Sequence, residues 1–127
     1  MREAVTTSAA PGAIGPYSQA VRAGGFLFVS GQIALDPATG RLVEGDAAAQ
    51  ARQVMRNLEA ILREAGASFA DVVRSTIYLA DLDDFAAVNE VYGACFEPPA
   101  PARATVQVAR LPRDARVEID VVAWLGA

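Results

Sequence analysis

Residues 101–119, Pro-Ala-Arg-Ala-Thr-Val-Gln-Val-Ala-Arg-Leu-Pro-Arg-Asp-Ala-Arg-Val-Glu-Ile, constrain the fold more than any other stretch of the chain. They read as two strands joined by a turn. In the first, Ala104, Val106 and Val108 alternate with Arg103, Thr105 and Gln107; in the second, Val117, Ile119 and Val121 alternate with Glu118 and Asp120. Side chains of a strand point alternately to opposite faces, so each strand predicts one apolar face and one polar face. Arg103 heads the first polar face and Glu118 the second. An arginine offers a planar fork to a carboxylate, and a glutamate can hold a water, so the pair suits a site for a small anion. Two solvated charges on the open face of an antiparallel sheet fit the same pattern.

Spacing adds a constraint. In a simple hairpin turning near Pro112, Arg103 would stand opposite roughly Ala123, and Glu118 would lie about 17 Å further along. One small ligand could not touch both. Either the two strands are not hairpin partners, or another subunit completes the site.

The 127 residues predict one domain, long enough to bury a core, and 53% hydrophobic residues exclude a disordered chain. The formal net charge is −4 and the eleven basic residues are scattered, so no nucleic-acid partner is expected. No apolar run approaches a membrane span and no secretory signal is legible, which predicts a cytoplasmic protein without a membrane partner. Histidine is absent and Cys95 is the single cysteine. The chain therefore lacks the commonest general base, the commonest metal ligand and a Cys-His nucleophile, and no metal site is expected. Carboxylates, Arg, Tyr, Ser, Thr, backbone groups and water remain for catalysis.

Elsewhere, residues 1–16 read as an irregular lead-in. Residues 17–21 and 26–30 read as a hairpin over the Gly24-Gly25 turn, and residues 41–43 as a short strand. Gly31, at the end of the second hairpin strand, permits a bulge or a close backbone approach, and a plain strand end fits it equally well. Asp46 caps a predicted helix running to about Ala65, with Ala47, Ala51, Val54, Leu58, Ile61, Leu62 and Ala65 on one stripe and Gly66 closing it. Residues 72–79 form a β-branched strand. Asp81 caps a second helix over residues 82–96, with Phe85, Val88, Tyr92, Cys95 and Phe96 on its apolar stripe and Asn89 at the stripe's edge. Cys95 is expected as a buried small hydrophobe. The class is α+β, with two helices on one face of the sheet. The other face is expected to carry Arg103, Thr105, Glu118 and Asp120 together with Val122 and Trp124, a mixture that suggests a partner subunit.

The chain resembles the Rid family (RidA/YjgF, reactive-intermediate or imine deaminases) over nearly its whole length. The resemblance is strongest from Pro101-Ala-Arg103-Ala through Leu111-Pro112 to Val117-Glu118-Ile119. It extends to Gly12-Ala-Ile-Gly-Pro-Tyr17-Ser-Gln, Ser30-Gly31-Gln32, Asp81-Leu82-Asp83-Asp84-Phe85 and Val88-Asn89. It implies a chorismate-mutase-like α+β fold with a mixed sheet, assembled as a homotrimer around a central sheet barrel with clefts between subunits. In that fold the last two strands are not sheet neighbours, and Arg103 and Glu118 meet across a subunit boundary. The implied reaction is hydrolysis of 2-iminobutanoate or 2-iminopropanoate to the 2-oxo acid and ammonia, without a cofactor. Arg103 would bind the substrate carboxylate and Glu118 would position the water. Tyr17, Ser30, Gly31, Asn89 and Thr105 would line the cleft. Residues 96–101 run shorter than in well-known imine deaminases and should border that cleft. A trimeric small-carboxylate-binding protein is the alternative. The ribonuclease activity also attached to the family fits poorly with an acidic chain lacking histidine.

Overall fold

The computed structural model describes residues 1–126. Six strands form one sheet: β1 (Glu3–Val5), β2 (Ala20–Ala23), β3 (Phe26–Gln32), β4 (Val72–Leu79), β5 (Ala102–Gln107) and β6 (Val117–Trp124). Their spatial order is β1-β2-β3-β6-β4-β5, and β4 with β5 is the parallel pair in an otherwise antiparallel sheet. Two helices, α1 (Ala47–Glu64) and α2 (Phe85–Gly93), pack on one face. The α+β class and the mixed sheet are as expected.

The α1 pattern translates directly into packing. The Asp46 side chain accepts from the Ala49 N–H at 2.9 Å, and Gly66 takes a left-handed φ of +78° beyond the last turn. Ala51, Val54, Leu58, Ile61 and Leu62 are fully buried against β3 and β6. Each of the larger ones contributes about 1.5–3 kcal/mol by leaving water. Polar residues on the same helix are buried too, and they hold the strand ends. Asn57 Nδ2 donates to the carbonyls of Leu35 (3.0 Å) and Ile33 (3.3 Å), just past β3, while Gln50 Oε1 accepts from the Arg116 N–H (2.8 Å), just before β6. The helix thus fixes the two strands that carry Gly31 and Glu118.

Several local expectations need correction. The lead-in contains β1, three residues too short to carry a periodic signal, which gains its structure by pairing with β2. The first hairpin strand begins at Ala20 rather than at residue 17, because Gly15-Pro16 and the turn after them hold Tyr17 outside the sheet. Residues 41–43 make a single bridge, Leu35 to Leu42, and no strand. The second helix is divided: Asp81 caps a 3-10 turn over Leu82–Asp84, and α2 proper ends at Gly93.

The largest correction concerns faces. β5 runs in register with β4, pairing Ser75 with Arg103 and Ile77 with Thr105. Ser75, Ile77 and Leu79 are the buried, helix-side residues of β4. Arg103 and Thr105 therefore belong to the helix side as well, and not to the open face shared by Glu118 and Asp120. The β5 residues expected on an apolar buried face, Ala104 and Val106, look outward, and Val106 is exposed. Alternation revealed two faces on β5, but only the pairing with β4 decides which one meets the helices.

Candidate active site

β5 and β6 flank β4 on opposite sides, so the chain from residue 108 to 116 is a crossover and no hairpin. Arg103 and Glu118 stand about two strand spacings apart and three residues out of step along β4, roughly 14 Å at Cα. They also point to opposite faces. Their surroundings form two half-sites.

The first is built on Arg103. Its Nη1 donates to Asn89 Oδ1 at 2.7 Å, and its Cζ lies 5.1 Å from the Tyr92 ring centre and 5.7 Å from that of Phe85. Phe85, Asn89 and Tyr92 fall on one stripe of α2 by helical spacing. Tyr92 is buried and donates to Ser75 Oγ at 2.7 Å. Burial holds its hydroxyl above the usual tyrosine range, although the Ser75 hydrogen bond and the Arg103 charge pull the other way. A pocket of about 580 Å³ opens here, with Asn89 and Arg103 on one side and Phe96, Pro98 and Pro101 on the other. Residues of the 96–101 segment border this pocket. Thr105 follows on the same face, and its Oγ1 is buried without a hydrogen-bond partner among the described residues.

The second half-site is built on Glu118. Its carboxyl is half-buried and held above the usual carboxylate range, first by that burial and then by the negative charge of Asp120. Room for it comes from Gly31. The β3–β6 register shifts between Val29 and Gln32, and at this bulge a Cβ on residue 31 would collide with the Glu118 carboxylate. Both features foreseen for Gly31, a bulge and a close approach, are present. A pocket of about 420 Å³ is lined by Ile14, Tyr17, Gly31, Arg113 and Glu118. The Tyr17 hydroxyl is 3.4 Å from the Ile14 N–H. Ser30 borders a neighbouring pocket that also contains Tyr17, and its Oγ donates to the Ser18 carbonyl at 2.6 Å.

The single chain therefore brings Tyr17, Ser30, Gly31 and Glu118 to one region and Asn89, Arg103 and Thr105 to another. Three contributors escaped sequence reasoning. Buried Gln19 ties down the lead-in that walls the Glu118 pocket, exchanging hydrogen bonds with Thr7 and donating to the Ala10 and Pro11 carbonyls. Tyr78 faces Glu118 across the β4–β6 pair and donates to Asp120 Oδ2 at 3.0 Å. Alternation along residues 72–79 already put Tyr78 on a polar face with Thr76. Phe85, beside Arg103, was read as part of an apolar stripe and of a family-matching segment, with no role at the site.

The open face also carries aromatic residues without cover. Phe26, Phe28 and Trp124 are each at least 40% exposed, and the Phe26 and Trp124 rings meet edge-on at 4.9 Å. Among the described residues, no helix is long and apolar enough to cross a membrane.

Residues 7–125 match the family model described as Endoribonuclease L-PSP. The chain belongs to this family, the Rid (YjgF) family. A RutC family protein of Pyrococcus horikoshii is 52% identical, covering 98% of both chains. The 2-iminobutanoate/2-iminopropanoate deaminase of Mus musculus is 48% identical over 99% of this chain and 93% of its own. Among solved Rid structures, that of E. coli TdcF with bound serine aligns with a TM-score of 0.90 and 46% identity, covering 96% of this chain and 98% of the other. The resemblance stated from the signature residues is thus borne out at the level of family and fold.

Proposed function

We propose that this protein is a 2-imino acid deaminase that hydrolyses 2-iminobutanoate and 2-iminopropanoate to 2-oxo acids and ammonia, working as a cytoplasmic homotrimer with sites between subunits. The observation that carries the reading is the Glu118 half-site. A carboxyl raised above its usual range, in a pocket with room beside Gly31, is what a water-activating base needs. A raised carboxyl is a stronger base toward water when ionised, and a larger share of it stays protonated near neutral pH. The 48% identical mouse deaminase supports the same chemistry.

In this mechanism Arg103 of one subunit orients the substrate carboxylate through its free guanidinium donors. Glu118 of a neighbouring subunit takes a proton from water as the new C–O bond forms and the C=N π pair moves to nitrogen. Glu118 returns the proton to nitrogen and, ionised again, takes the remaining carbinol O–H proton as the carbonyl forms, the C–N bond breaks and ammonia leaves. A protonated imine is already electrophilic, so these two side chains suffice. The uncovered Phe26, Phe28 and Trp124 support a second copy as the missing wall.

A second reading has its own support. The Arg103 pocket is complete within one chain, and TdcF holds serine, so a carboxylate-binding protein without turnover remains the alternative. A coupled assay separates the two. An amino-acid oxidase generates 2-iminopropanoate in the cuvette, and imine loss is followed with and without the protein. Faster loss is expected, absent in Arg103→Ala; Glu118→Gln should lose turnover while still binding small carboxylates. No acceleration for any imine by the intact oligomer would favour the binding protein.

A further inference from the structure

Arg103 is a long side chain on β5, a strand with one neighbour in the sheet. Left alone it would sample many rotamers, and a carboxylate would have to freeze it on binding. Three groups of α2 restrict it: Asn89 Oδ1 at 2.7 Å, the Tyr92 ring at 5.1 Å and the Phe85 ring at 5.7 Å. The attraction of a ring face for a cation consumes none of the guanidinium N–H groups. Apart from the bond to Asn89, these donors find no partner among the described residues. Tyr92 is itself buried, 4% exposed, and its hydroxyl donates to Ser75, the residue paired with Arg103 across the parallel strands.

Phe85 is different. It begins α2 yet is 39% exposed, so a good part of it lies outside the core, and its aromatic contact within the chain is the guanidinium. We infer that Phe85 is a positioning residue for Arg103: with Tyr92 behind it, its ring holds the guanidinium by the π face and leaves the N–H edge free for the ligand carboxylate. The inference rests on the reading of Arg103 as carboxylate anchor. It makes α2, which supplies no reacting group, the mount on which substrate affinity depends.

The test compares Phe85→Leu, Phe85→Trp and Arg103→Ala with the parent protein. 2-Oxobutanoate serves as a stable carboxylate probe in titration calorimetry, alongside the imine assay and thermal unfolding. Leucine keeps the apolar bulk but has no π face, so Phe85→Leu should weaken binding about two- to fivefold and raise KM with kcat unchanged. Phe85→Trp should bind at least as tightly as the parent, tryptophan offering the strongest face. Melting temperatures should not follow this order, because the ring is partly outside the core. Parent-like affinity in Phe85→Leu, or losses that track melting temperature in both variants, would overturn the inference. Arg103→Ala distinguishes the deeper failure: if it binds the probe as the parent does, the anchor reading falls, and the role of Phe85 with it.

Discussion

Arg103 and Glu118 lie on opposite faces of one sheet, with β4 running between their strands. Arg103 pairs with Ser75 on the helix side, and Glu118 pairs with Tyr78 on the open side. No rotamer of either side chain passes through a sheet. Within one chain they cannot share a small ligand, although each heads a pocket suited to one half of it.

That separation predicts complementation. Arg103→Ala and Glu118→Gln should each be inactive as homogeneous proteins. Mixed oligomers would contain sites that join an intact Arg103 from one subunit to an intact Glu118 from another. Random mixing in equal amounts makes such a pair at roughly a quarter of the boundaries between subunits. Activity of co-expressed, co-purified oligomers should approach that fraction of the parent rate. Mixed oligomers as inactive as the single variants would show that the two groups do not act across a boundary.

The raised Glu118 carboxyl predicts the pH dependence of turnover. As a base it works ionised, so kcat/KM should fall on acidification through a value above the ordinary 4.5 of a glutamate. Burial is the larger cause and the charge of Asp120 the smaller. Tyr78, donating to Asp120, and Tyr17 and Arg113, in the same pocket, are the other titratable groups facing it. Asp120→Asn removes a negative neighbour and should move the acid limb to lower pH, whereas Tyr78→Phe leaves that charge in place and should move it less. A pH–rate profile of the three proteins checks the order. An acid limb unmoved in Asp120→Asn would mean that burial alone raises Glu118.

Gly31 should be intolerant of even one carbon. Its Cβ would occupy the volume of the Glu118 carboxylate, so Gly31→Ala must rotate that group or open the β3–β6 bulge. A shift of about 1 Å in a catalytic group can cost on the order of 10²-fold in rate. We expect a loss of that size in kcat with carboxylate affinity retained, because the Arg103 pocket lies on the other face. Kinetics together with calorimetry on 2-oxobutanoate would reveal the split. Equal losses in both would point instead to general disruption of the sheet.

The elements most legible in the sequence were those whose signal is local. The α1 stripe and its Asp46 cap, and the β-branched run of β4, needed only periodicity and one capping residue. Gly31 was legible only as one of two alternatives, because a glycine at a strand end serves equally as a plain terminus. What stayed hidden was non-local. The side of the sheet reached by Arg103 depends on the register of β5 against β4, strands separated by the whole of α2. The lead-in strand β1 exists only through its partner, and the buried Gln19 that braces the Glu118 pocket looks in the sequence like any surface glutamine. The family resemblance supplied one point that alternation could not, the separation of β5 from β6, while the full strand order came from the structure.

The uncovered aromatics of the open face carry the last prediction. Phe28 is 47% exposed, on the same face of the sheet as Val122, and its ring centre is 6.2 Å from that of Phe26. A glutamate there would cost the isolated chain little, because the position already meets solvent. If this face packs against other copies in the proposed oligomer, the same change would bury like charges between subunits, a penalty far larger than the packing it replaces. Phe28→Glu should therefore sediment as a monomer with a native circular dichroism spectrum. It should also lose imine hydrolysis, although residue 28 lines neither the Arg103 pocket nor the Glu118 pocket and only borders the neighbouring one with Tyr17 and Ser30. The carboxylate affinity of the Arg103 pocket should survive in part, since Asn89, Tyr92 and Phe85 come from the same chain. A monomeric Phe28→Glu with full turnover would mean that one chain holds a complete site, and would remove the physical reason for dividing Arg103 from Glu118.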